Sequence, residues 1–326
     1  MNKILTVTAN PAIDRAYFFR TFTLGEVHRP TKTAFTPGGK GLNVSRVCKE
    51  LGAKVVAMGF MGGYTGDFLR TELRKLGIDD GFTQIQGQTR QCINICDNTG
   101  FSTEILEDGP SVTAGERESF LQALQTQIPD CDMVTVSGSL PQGLSPDFYI
   151  EIAKLAKQYD KKVIFDTSGK TFAEIVCAKP FMVKPNKEEF LQFAGWQEFK
   201  PRKALRLLKE LGVEVPVISL GEDGAIAMID GDCYRFSVPP VAVVSPVGSG
   251  DSTVAGIATG LSRGLPICDA IRLGMAAGIT NALFEGTGCI TKELVLDYYA
   301  KVTVKKLELE DYKNEYPRLQ SEFLRR

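Results

Sequence analysis

The segment that decides this fold is Ser245-Pro246-Val247-Gly248-Ser249-Gly250-Asp251-Ser252-Thr253-Val254-Ala255-Gly256. Apolar residues at helical spacing follow it: Val254, Ile257, Ala258 and Leu261. A glycine turn that opens a helix exposes backbone N–H groups without intrahelical partners, and these groups bind anions. A carboxylate just inside such a site, at Asp251, is suited to take a proton from a hydroxyl while the turn holds a phosphoryl group. The segment therefore favours a kinase that acts on an alcohol.

An isolated motif of this kind has a simpler interpretation as a capped helix. Ser249 or Asp251 would then be the N-cap residue, and the glycines would form an ordinary loop. Other segments of the chain must decide between the two interpretations.

The composition excludes several classes of function. The chain has 326 residues, 43% of them hydrophobic, which allows one large α/β domain or about two ordinary ones. A net charge of −1 and a pI of about 6.1 give no basic field for nucleic acid. No apolar run is long enough to span a membrane, and Met1–Val7 lacks a signal-peptide pattern. We therefore expect a cytoplasmic protein without nucleic-acid or membrane partners.

Cysteine and histidine offer little chemistry here. The eight cysteines include no Cys-x-x-Cys pair, so we expect reduced thiols and no zinc site. His28 is the one histidine, and it lies in a short polar segment without a nucleophile motif nearby. Catalysis of the Ser-His-Asp type is not expected.

Apolar, β-rich runs alternate with amphipathic segments along most of the chain. The predicted strands are Lys3–Thr8, Val55–Phe60, Met133–Val136, Val163–Asp166, Phe181–Val183, Pro216–Ser219 and Ala225–Ile229. The predicted helices are Gly41–Leu51, Asp67–Leu76, Glu116–Gln127, Asp147–Gln158, Lys187–Phe193, Pro201–Leu211 and Asp251–Arg263. This alternation predicts an α/β fold with a doubly wound, mostly parallel sheet and ligands beyond the carboxyl ends of its strands.

Four segments depart from this alternation. Arg15–Phe22, Lys32–Phe35 and Cys92–Ile105 have strand patterns and few helical features. They predict a small projecting β-sheet that covers a ligand or meets a second subunit. The final stretch, Lys301–Arg326, is charge-rich and compatible with a helix, and we expect it to pack loosely on the surface.

Two segments near the amino terminus contain candidate binding residues. In Pro37–Asn43, Gly38 and Gly39 allow close backbone approach, Lys40 supplies charge and Asn43 can bond a hydroxyl. The segment is not a Walker A loop, because Gly41 follows the lysine, and a tight turn with a solvated lysine is an equal alternative. Asp14 follows the first strand and could bind two sugar hydroxyls or cap a turn. Asp14 and Asp251 are both candidate bases, and Asp251 is preferred because it adjoins the anion site.

The remaining candidates follow later strands. Ser137 opens a loop at the predicted ligand edge, and Arg90 could form a phosphate fork or be solvated. Asn186 and Glu189 could hold Mg²⁺ mostly through water, although Asn-x-x-Glu is also a common N-capping pattern, favoured when this segment is taken alone. Ser219–Ala225 joins two strands as a plain hairpin or as a glycine-lined nucleotide edge.

Together and in this order, these segments resemble the ribokinase-like sugar kinases of the phosphofructokinase-B type. Gly38–Asn43 matches the first signature of that family, and Val247–Gly256 matches the second. Asn186-x-x-Glu189 and Ser219-x-Gly221-x-x-Gly224 match its metal/phosphate and nucleotide motifs. The similarity extends from Asn2 to about Thr291.

The resemblance implies a fold, a cofactor and a partner state. It implies a single ribokinase-like domain over residues 1–326, with three α/β/α layers and a β-sheet lid from about residues 15–36 and 90–107. MgATP would donate the phosphoryl group to a sugar phosphate, and a homodimer could form through the lid.

The resemblance also implies roles for individual residues. Asp251 becomes the catalytic base, and the anion hole is formed by the amides of Gly248, Ser249 and Gly250. The substrate would contact Asp14, Gly38, Gly39, Lys40, Asn43 and Ser137, with its phosphate held by Arg90, Lys40 and Arg29. The ATP site would be lined by Lys184, Asn186, Ser219, Gly221 and Gly224, with Gly278 and Asn281 near the adenine. Glu189 would hold Mg²⁺ through water.

Within the family, three segments resemble the hexose-phosphate kinases: Asn10–Asp14, Thr89-Arg90 and Ser137–Pro141. Thr89–Ile93 and Ser102–Glu107 are similar to the corresponding segments of tagatose-6-phosphate kinases, and 1-phosphofructokinases are the alternative. Gln91 departs from both patterns. The favoured acceptor is tagatose-6-phosphate, which would give tagatose-1,6-bisphosphate, and the alternative acceptor is fructose-1-phosphate.

Two functions of other classes are alternatives to a kinase. A non-catalytic sugar-phosphate sensor would be supported by loss of Asp251 or Asn186, but both are present. A dinucleotide-dependent oxidoreductase needs a glycine fingerprint after the first strand, and Thr8–Ala12 does not provide one.

Overall fold

The computed structural model describes residues 2–98 and 102–307, and strands and helices alternate along most of this chain. The strands are β1 (Lys3–Thr8), β2 (Ala12–Phe19), β3 (Lys32–Gly38), β4 (Lys54–Met61), β5 (Asp79–Asp80), β6 (Thr83–Gln84), β7 (Arg90–Asp97), β8 (Ser102–Leu106), β9 (Met133–Ser137), β10 (Val163–Asp166), β11 (Met182–Val183), β12 (Val215–Ser219), β13 (Ala225–Ile229), β14 (Asp232–Ser237) and β15 (Thr303–Lys306).

The helices connect these strands. They are α1 (Lys40–Glu50), α2 (Gly63–Lys75), α3 (Ala114–Gln127), α4 (Asp147–Gln158), α5 (Gly169–Cys177), α6 (Lys187–Ala194), α7 (Pro201–Glu210), α8 (Ser249–Ser262), α9 (Ile267–Ala282) and α10 (Lys292–Lys301). No helix within residues 2–98 and 102–307 is long and apolar enough to cross a membrane.

The large sheet has the strand order β15-β14-β13-β12-β11-β10-β9-β1-β4-β5, with β6 also paired to β4. The strands from β11 to β4 run parallel, and β12 to β15 add antiparallel pairs at one edge. Strand β1 lies between β4 and β9, so the chain winds outward in both directions from it. In such a sheet the ligand crevice lies outside the carboxyl ends of the central strands.

Helices cover both faces of this sheet. Helices α1, α2, α8, α9 and α10 contribute to the hydrophobic core on one face, and α3 to α7 contribute to the core on the other. Successive residues of β1 point to opposite faces, so Ile4 packs in the first core and Leu5 in the second. The predicted α/β fold with a doubly wound, mostly parallel sheet is confirmed.

A separate four-stranded sheet has the order β3-β2-β7-β8. It is built from the segments predicted to form a small sheet, but β2 begins at Ala12, earlier than predicted, and β3 continues to Gly38. Ala12 is paired with Gly38 and with Arg90 in register. The beginning of β2 and the end of β3 therefore bring three candidate segments to one place.

The carboxyl-terminal segment differs from the expectation for Lys301–Arg326. Lys301 ends α10, and the strand Thr303–Lys306 pairs antiparallel with β14. The expected helix is wrong for this part, because the edge of the sheet offers backbone hydrogen bonds that a free surface helix would lack. Residues 308–326 lie outside the described part of the chain.

Helices α8 and α9 pack unusually closely. A Cβ atom added to Gly256 would lie 2.6 Å from the Cα atom of Gly274, and one added to Gly260 would lie 2.8 Å from the Cα atom of Ala270. The absence of side chains at these positions lets the two backbones approach each other. This contact fixes the position of α8, whose first turn contains Asp251.

We expect Gly256→Ala to lower the free energy of unfolding by about 1–3 kcal/mol, because the added methyl group meets backbone atoms that cannot move independently. Urea denaturation measures the change. Gly115→Ala is the matched control, since Gly115 is also helical and a Cβ atom there meets nothing within 4 Å. Equal stabilities of the two variants would contradict the argument.

Candidate active site

Asp251 lies buried in the first turn of α8. The Asn43 side chain donates a hydrogen bond from Nδ2 to its Oδ2 atom at 2.8 Å. Burial and the nearby charge of Asp166 raise the pKa of Asp251 to about 7, and Asn43, Lys40 and Lys184 oppose this rise. A carboxylate with this pKa can accept a proton near neutral pH.

The glycine turn before α8 leaves backbone amides of the first helical turn without acceptors. Gly248 is the N-cap residue in the left-handed conformation, with φ at 85°, and its carbonyl accepts a hydrogen bond from the amide of Ser252. The Ser249 amide donates to the carbonyl of Pro246 at 3.2 Å. Gly250 and Asp251, next in the first turn, have amides without an intrahelical acceptor. These two amides, more than that of Ser249, are therefore placed to meet an anion.

Lys184 adds positive charge beside this turn. A Cβ atom on Gly250 would lie 3.4 Å from Lys184 Nζ, so the ammonium group lies against the turn. Lys184 is nearly fully buried and lies 3.5 Å from Oδ1 of Asp166, which is buried as well. The buried ammonium group is thus held by one carboxylate and lies next to the predicted anion site.

Asp166 is a functional candidate that the sequence reasoning missed. It is the last residue of β10, in register with Ser137 on β9. Its charge is the largest cause of the raised pKa of Lys40, opposed by burial, with further contributions from Asp251 and Glu189. The available signal was its position, since the predicted strand ended on an acid at the ligand edge.

The candidate sugar-binding residues converge near Asp251. A Cβ atom on Gly38 would lie 2.1 Å from Cγ of Asp14, so the carboxyl group occupies the space over this glycine. Burial raises the pKa of Asp14 to about 6, although Arg46 and Arg90 lower it. Gly39 caps α1 with φ at 95°, which places Lys40 at the first helical position and Asn43 one turn later.

Arg46 is a second residue that the sequence reasoning missed. Its Nη2 atom donates to Asn43 Oδ1 at 2.6 Å and to the carbonyl oxygen of Thr287 at 2.7 Å. Burial lowers its pKa, and the neighbouring Cys289, Asp14 and Asp251 act in the opposite direction. Arg46 follows Asn43 by three residues on the same helix, a spacing that brings side chains together.

Three predicted substrate residues, Arg90, Ser137 and Arg29, have surroundings that differ from the expectation. Arg90 donates from Nη1 to the carbonyl of Glu107 at 2.9 Å and from Nη2 to that of Asn10 at 3.1 Å, so it joins two loops. Ser137 is fully buried at the end of β9, which withdraws its hydroxyl from the crevice.

Arg29 is exposed in the loop between β2 and β3. Two residues later, the Thr31 amide bonds to the carbonyl of Phe18, at the far end of β2 from Asp14. A strand rises by about 3.3 Å per residue, so Phe18 is roughly 13 Å along β2 from Asp14. Within one chain, the structure does not bring Arg29 to the other substrate residues.

On the nucleotide side, Asn186 and Glu189 form a capping box at the start of α6. Asn186 Oδ1 accepts from the Glu189 amide at 2.8 Å, and Glu189 Oε2 accepts from the Asn186 amide at 2.9 Å. The capping interpretation is therefore correct. The second carboxylate oxygen, Oε1, lies 3.9 Å from Lys40 Nζ and so faces the site.

Strand β12 ends beside this capping box. The amide of Ser219 donates to the carbonyl of Pro185 at 3.0 Å. The turn that follows joins β12 to β13 as an antiparallel hairpin. Gly224 is needed for that hairpin, since a Cβ atom there would lie 1.9 Å from the Phe236 carbonyl oxygen. Gly221 lies in open space with φ at 61°.

Gly278 and Asn281, which the family resemblance expects near the adenine, are both buried in α9. A Cβ atom on Gly278 would lie 2.5 Å from Thr253 Oγ1, so this glycine serves helix packing. Asn281 donates to the carbonyl of Val247 at 2.8 Å and accepts from the Cys289 amide at 3.2 Å. It supports the glycine turn from behind.

No cluster of three or more metal-ligating side chains exists within residues 2–98 and 102–307. All eight cysteines are free thiols. A divalent cation here would depend on phosphate oxygens and water for most of its ligands.

A family model described as "pfkB family carbohydrate kinase" matches residues 7–292. The chain belongs to this family. It is 38% identical over 307 residues to tagatose-6-phosphate kinase of Staphylococcus epidermidis, covering 92% of this chain and 99% of the relative. It is 36% identical over 307 residues to 1-phosphofructokinase of Bacillus subtilis, covering 93% of this chain and 100% of that protein.

The fold comparison agrees with the family assignment. The solved structure of phosphofructokinase-2 from Escherichia coli superposes with a TM-score of 0.85 at 27% identity, covering 92% of this chain and 99% of that one. The carbohydrate kinase of the present structure is a sugar-phosphate kinase, which transfers a phosphoryl group to a hydroxyl. The predicted resemblance and the predicted enzyme class are confirmed.

The raised pKa of Asp251 predicts how the Asp251→Asn variant changes stability with pH. In the folded chain the pKa is about 7, against an ordinary value of 3.8, so the wild type loses stability as the pH rises from about 4 to 7. The neutral amide avoids this loss. We expect the stability gain of the variant over wild type to be about 3 kcal/mol larger at pH 8 than at pH 5.

Urea denaturation of both proteins at the two pH values measures this difference. The titration of Asp14 is common to both proteins and cancels in the comparison. A gain that is the same at pH 5 and pH 8 would show that Asp251 has an ordinary pKa.

Proposed function

We propose that this kinase transfers the γ-phosphoryl group of MgATP to a hydroxyl of a ketohexose phosphate, with Asp251 as the catalytic base. The observation that supports it most strongly is the juxtaposition of a buried carboxylate, free helix amides and the Lys184 ammonium group at one turn. A capped helix alone would not need a buried acid and a buried lysine beside its first amides.

In the proposed step, the acceptor hydroxyl oxygen forms a bond to the γ-phosphorus while the bond from that phosphorus to the β,γ-bridging oxygen breaks. ADP leaves, and the hydroxyl proton passes to the carboxylate of Asp251. An alcohol is far less acidic than a carboxylic acid. The proton therefore moves late in the step, after the forming oxygen–phosphorus bond has made the hydroxyl group more acidic. The amides of Gly250 and Asp251 and the Lys184 ammonium group stabilise the charge of the transferring group.

The nucleotide would lie along the edge formed by Asn186, Ser219 and Gly221, in which Gly221 leaves open space. Bound Mg²⁺ would neutralise phosphate charge, and it usually keeps several waters and one or two carboxylates. Glu189 fits this pattern, because only one of its oxygens is used by the capping box. We therefore propose that Glu189 holds the ion through water.

The acceptor sugar would lie over Gly38 and Gly39, where the carboxylate of Asp14 can accept hydrogen bonds from two hydroxyls. Lys40 supplies a cation close by, and we propose Arg90 for the substrate phosphate. Two of the five N–H groups of Arg90 bond carbonyls in this structure, and a guanidinium fork has further donors for a phosphate.

The small sheet could also join two copies of the chain. Its strands expose Phe35 at 45% and Ile105 at 51%, and these two residues share one face, because they are in register through Arg15 and Ile93. An apolar sheet face of this kind is stabilised when another surface covers it. We propose a homodimer through this sheet.

We expect Asp251→Asn to lower kcat by a factor of about 10²–10⁴, because the variant cannot accept the proton. Release of ADP measures the rate, and circular dichroism checks the fold. Asp297→Asn is the matched control, since Asp297 is exposed and pairs with Lys301 on α10. Near-wild-type turnover of folded Asp251→Asn would refute the proposed base.

We expect tagatose-6-phosphate to be the preferred acceptor, because Thr89–Ile93 and Ser102–Glu107 resemble tagatose-6-phosphate kinases and the S. epidermidis relative carries that name. ADP release with tagatose-6-phosphate, fructose-1-phosphate and fructose-6-phosphate should be compared by kcat/KM. Preference for fructose-1-phosphate would favour the alternative supported by the B. subtilis relative. Turnover with none of the three would contradict the substrate class.

A further inference from the structure

We propose that Arg46 is a positioning residue, which acts on the catalytic base through Asn43. The inference rests on the proposed role of Asp251. It is carried by a continuous chain of contacts: Arg46 Nη2 donates to Asn43 Oδ1 at 2.6 Å, and Asn43 Nδ2 donates to Asp251 Oδ2 at 2.8 Å.

Arg46 fixes the orientation of the Asn43 amide. An asparagine side chain presents an acceptor on one atom and donors on the other. If the amide of Asn43 were reversed, its NH₂ group would face the Arg46 guanidinium and its oxygen would face the Asp251 carboxylate, so both contacts would be repulsive. A guanidinium group has only donors, so Arg46 selects the orientation that gives Asp251 a hydrogen bond.

Arg46 is itself held in a fixed position. Nη2 also donates to the Thr287 carbonyl oxygen at 2.7 Å, and a Cβ atom on Gly288 would lie 3.2 Å from Nη2. The same loop packs on the turn before α8, because a Cβ atom on Gly248 would lie 3.1 Å from Thr287 Cα. Arg46 thus ties α1, the Thr287–Gly288 loop and the start of α8 together at the base.

Arg46 also contributes charge near the base. The charged groups that face Asp251 are Asp166, Lys40, Lys184 and Arg46, and the Asn43 amide donates a hydrogen bond to it. Arg46 faces Asp14 and Cys289 as well. Removing the guanidinium group deletes a cation near Asp251 and loosens the hydrogen bond from Asn43, and both changes disfavour the charged carboxylate. The pKa of Asp251 should therefore rise when Arg46 is replaced.

The test compares pH profiles of kcat and kcat/KM for wild type, Arg46→Met and Arg46→Lys. For Arg46→Met we expect the acid limb of the kcat/KM profile to shift to higher pH by about one unit. We expect kcat at pH 7 to fall about tenfold or more. KM for MgATP should stay within twofold. Arg46→Lys keeps the cation, so its acid limb should stay near that of the wild type. Its ammonium group cannot reproduce the paired contacts to Asn43 Oδ1 and the Thr287 carbonyl, so its kcat should still fall severalfold.

Arg272→Met is the matched control, because Arg272 is also partly buried and donates to the Tyr299 carbonyl, away from Asp251. The proposal would be overturned if folded Arg46→Met lost stability but kept the acid limb of the wild-type kcat/KM profile. This failure differs from failure of the proposed base, which would appear as an active Asp251→Asn variant.

A double-mutant cycle decides the matter even if Arg46→Met does not fold. If Arg46 acts through Asn43, the kcat effect of Arg46→Lys should largely disappear in an Asn43→Ala background. Additive effects of the two substitutions would overturn the proposal.

Discussion

The buried carboxylate of Asp251 is the constraint on which the rest of the structure depends. An isolated charge in a protein interior is strongly unfavourable unless hydrogen bonds and opposite charges compensate it. Here the compensating groups come from two elements: Lys40 and Asn43 lie on α1, and Lys184 directly follows β11. The sheet must therefore bring these segments to one point, and the doubly wound order, with β1 between β4 and β9, does so.

Close packing against α9 fixes the position of α8. Glycines at the helix contact allow an approach that places the first turn of α8 at the crevice, and Asn281 supports the turn through the Val247 carbonyl. Tight backbone packing also leaves little freedom for rearrangement, because interiors with few voids do not deform continuously. A preorganised turn of this kind offers its amides to a phosphoryl group without a reorganisation cost at the moment of reaction.

The sequence was sufficient to predict the α/β layers of the fold and the segments that form the candidate site, because alternating strand and helix patterns and glycine turns are local signals. It was insufficient where contacts join distant segments: the strand end at Asp166 and the three-residue spacing from Asn43 to Arg46 mark these side chains, but no local pattern shows that they lie near Asp251. Gly278, expected near the adenine from the family resemblance, also belongs to a packing pattern, because Gly256 and Gly260 on α8 and Gly274 and Gly278 on α9 share a four-residue spacing typical of close helix contacts.

Lys40 shows that charge placement at this site follows function more than helix stability. A cation at the first position of a helix opposes the helix dipole, at a cost of about 0.3–1 kcal/mol. Asp166, Asp251 and Glu189 raise the pKa of Lys40 despite its burial, so these carboxylates favour its charged form. If Asp251 accepts a proton as proposed, one of these negative charges disappears. Lys40 and Lys184 are then less neutralised, and their positive field favours the additional phosphate that the sugar has gained.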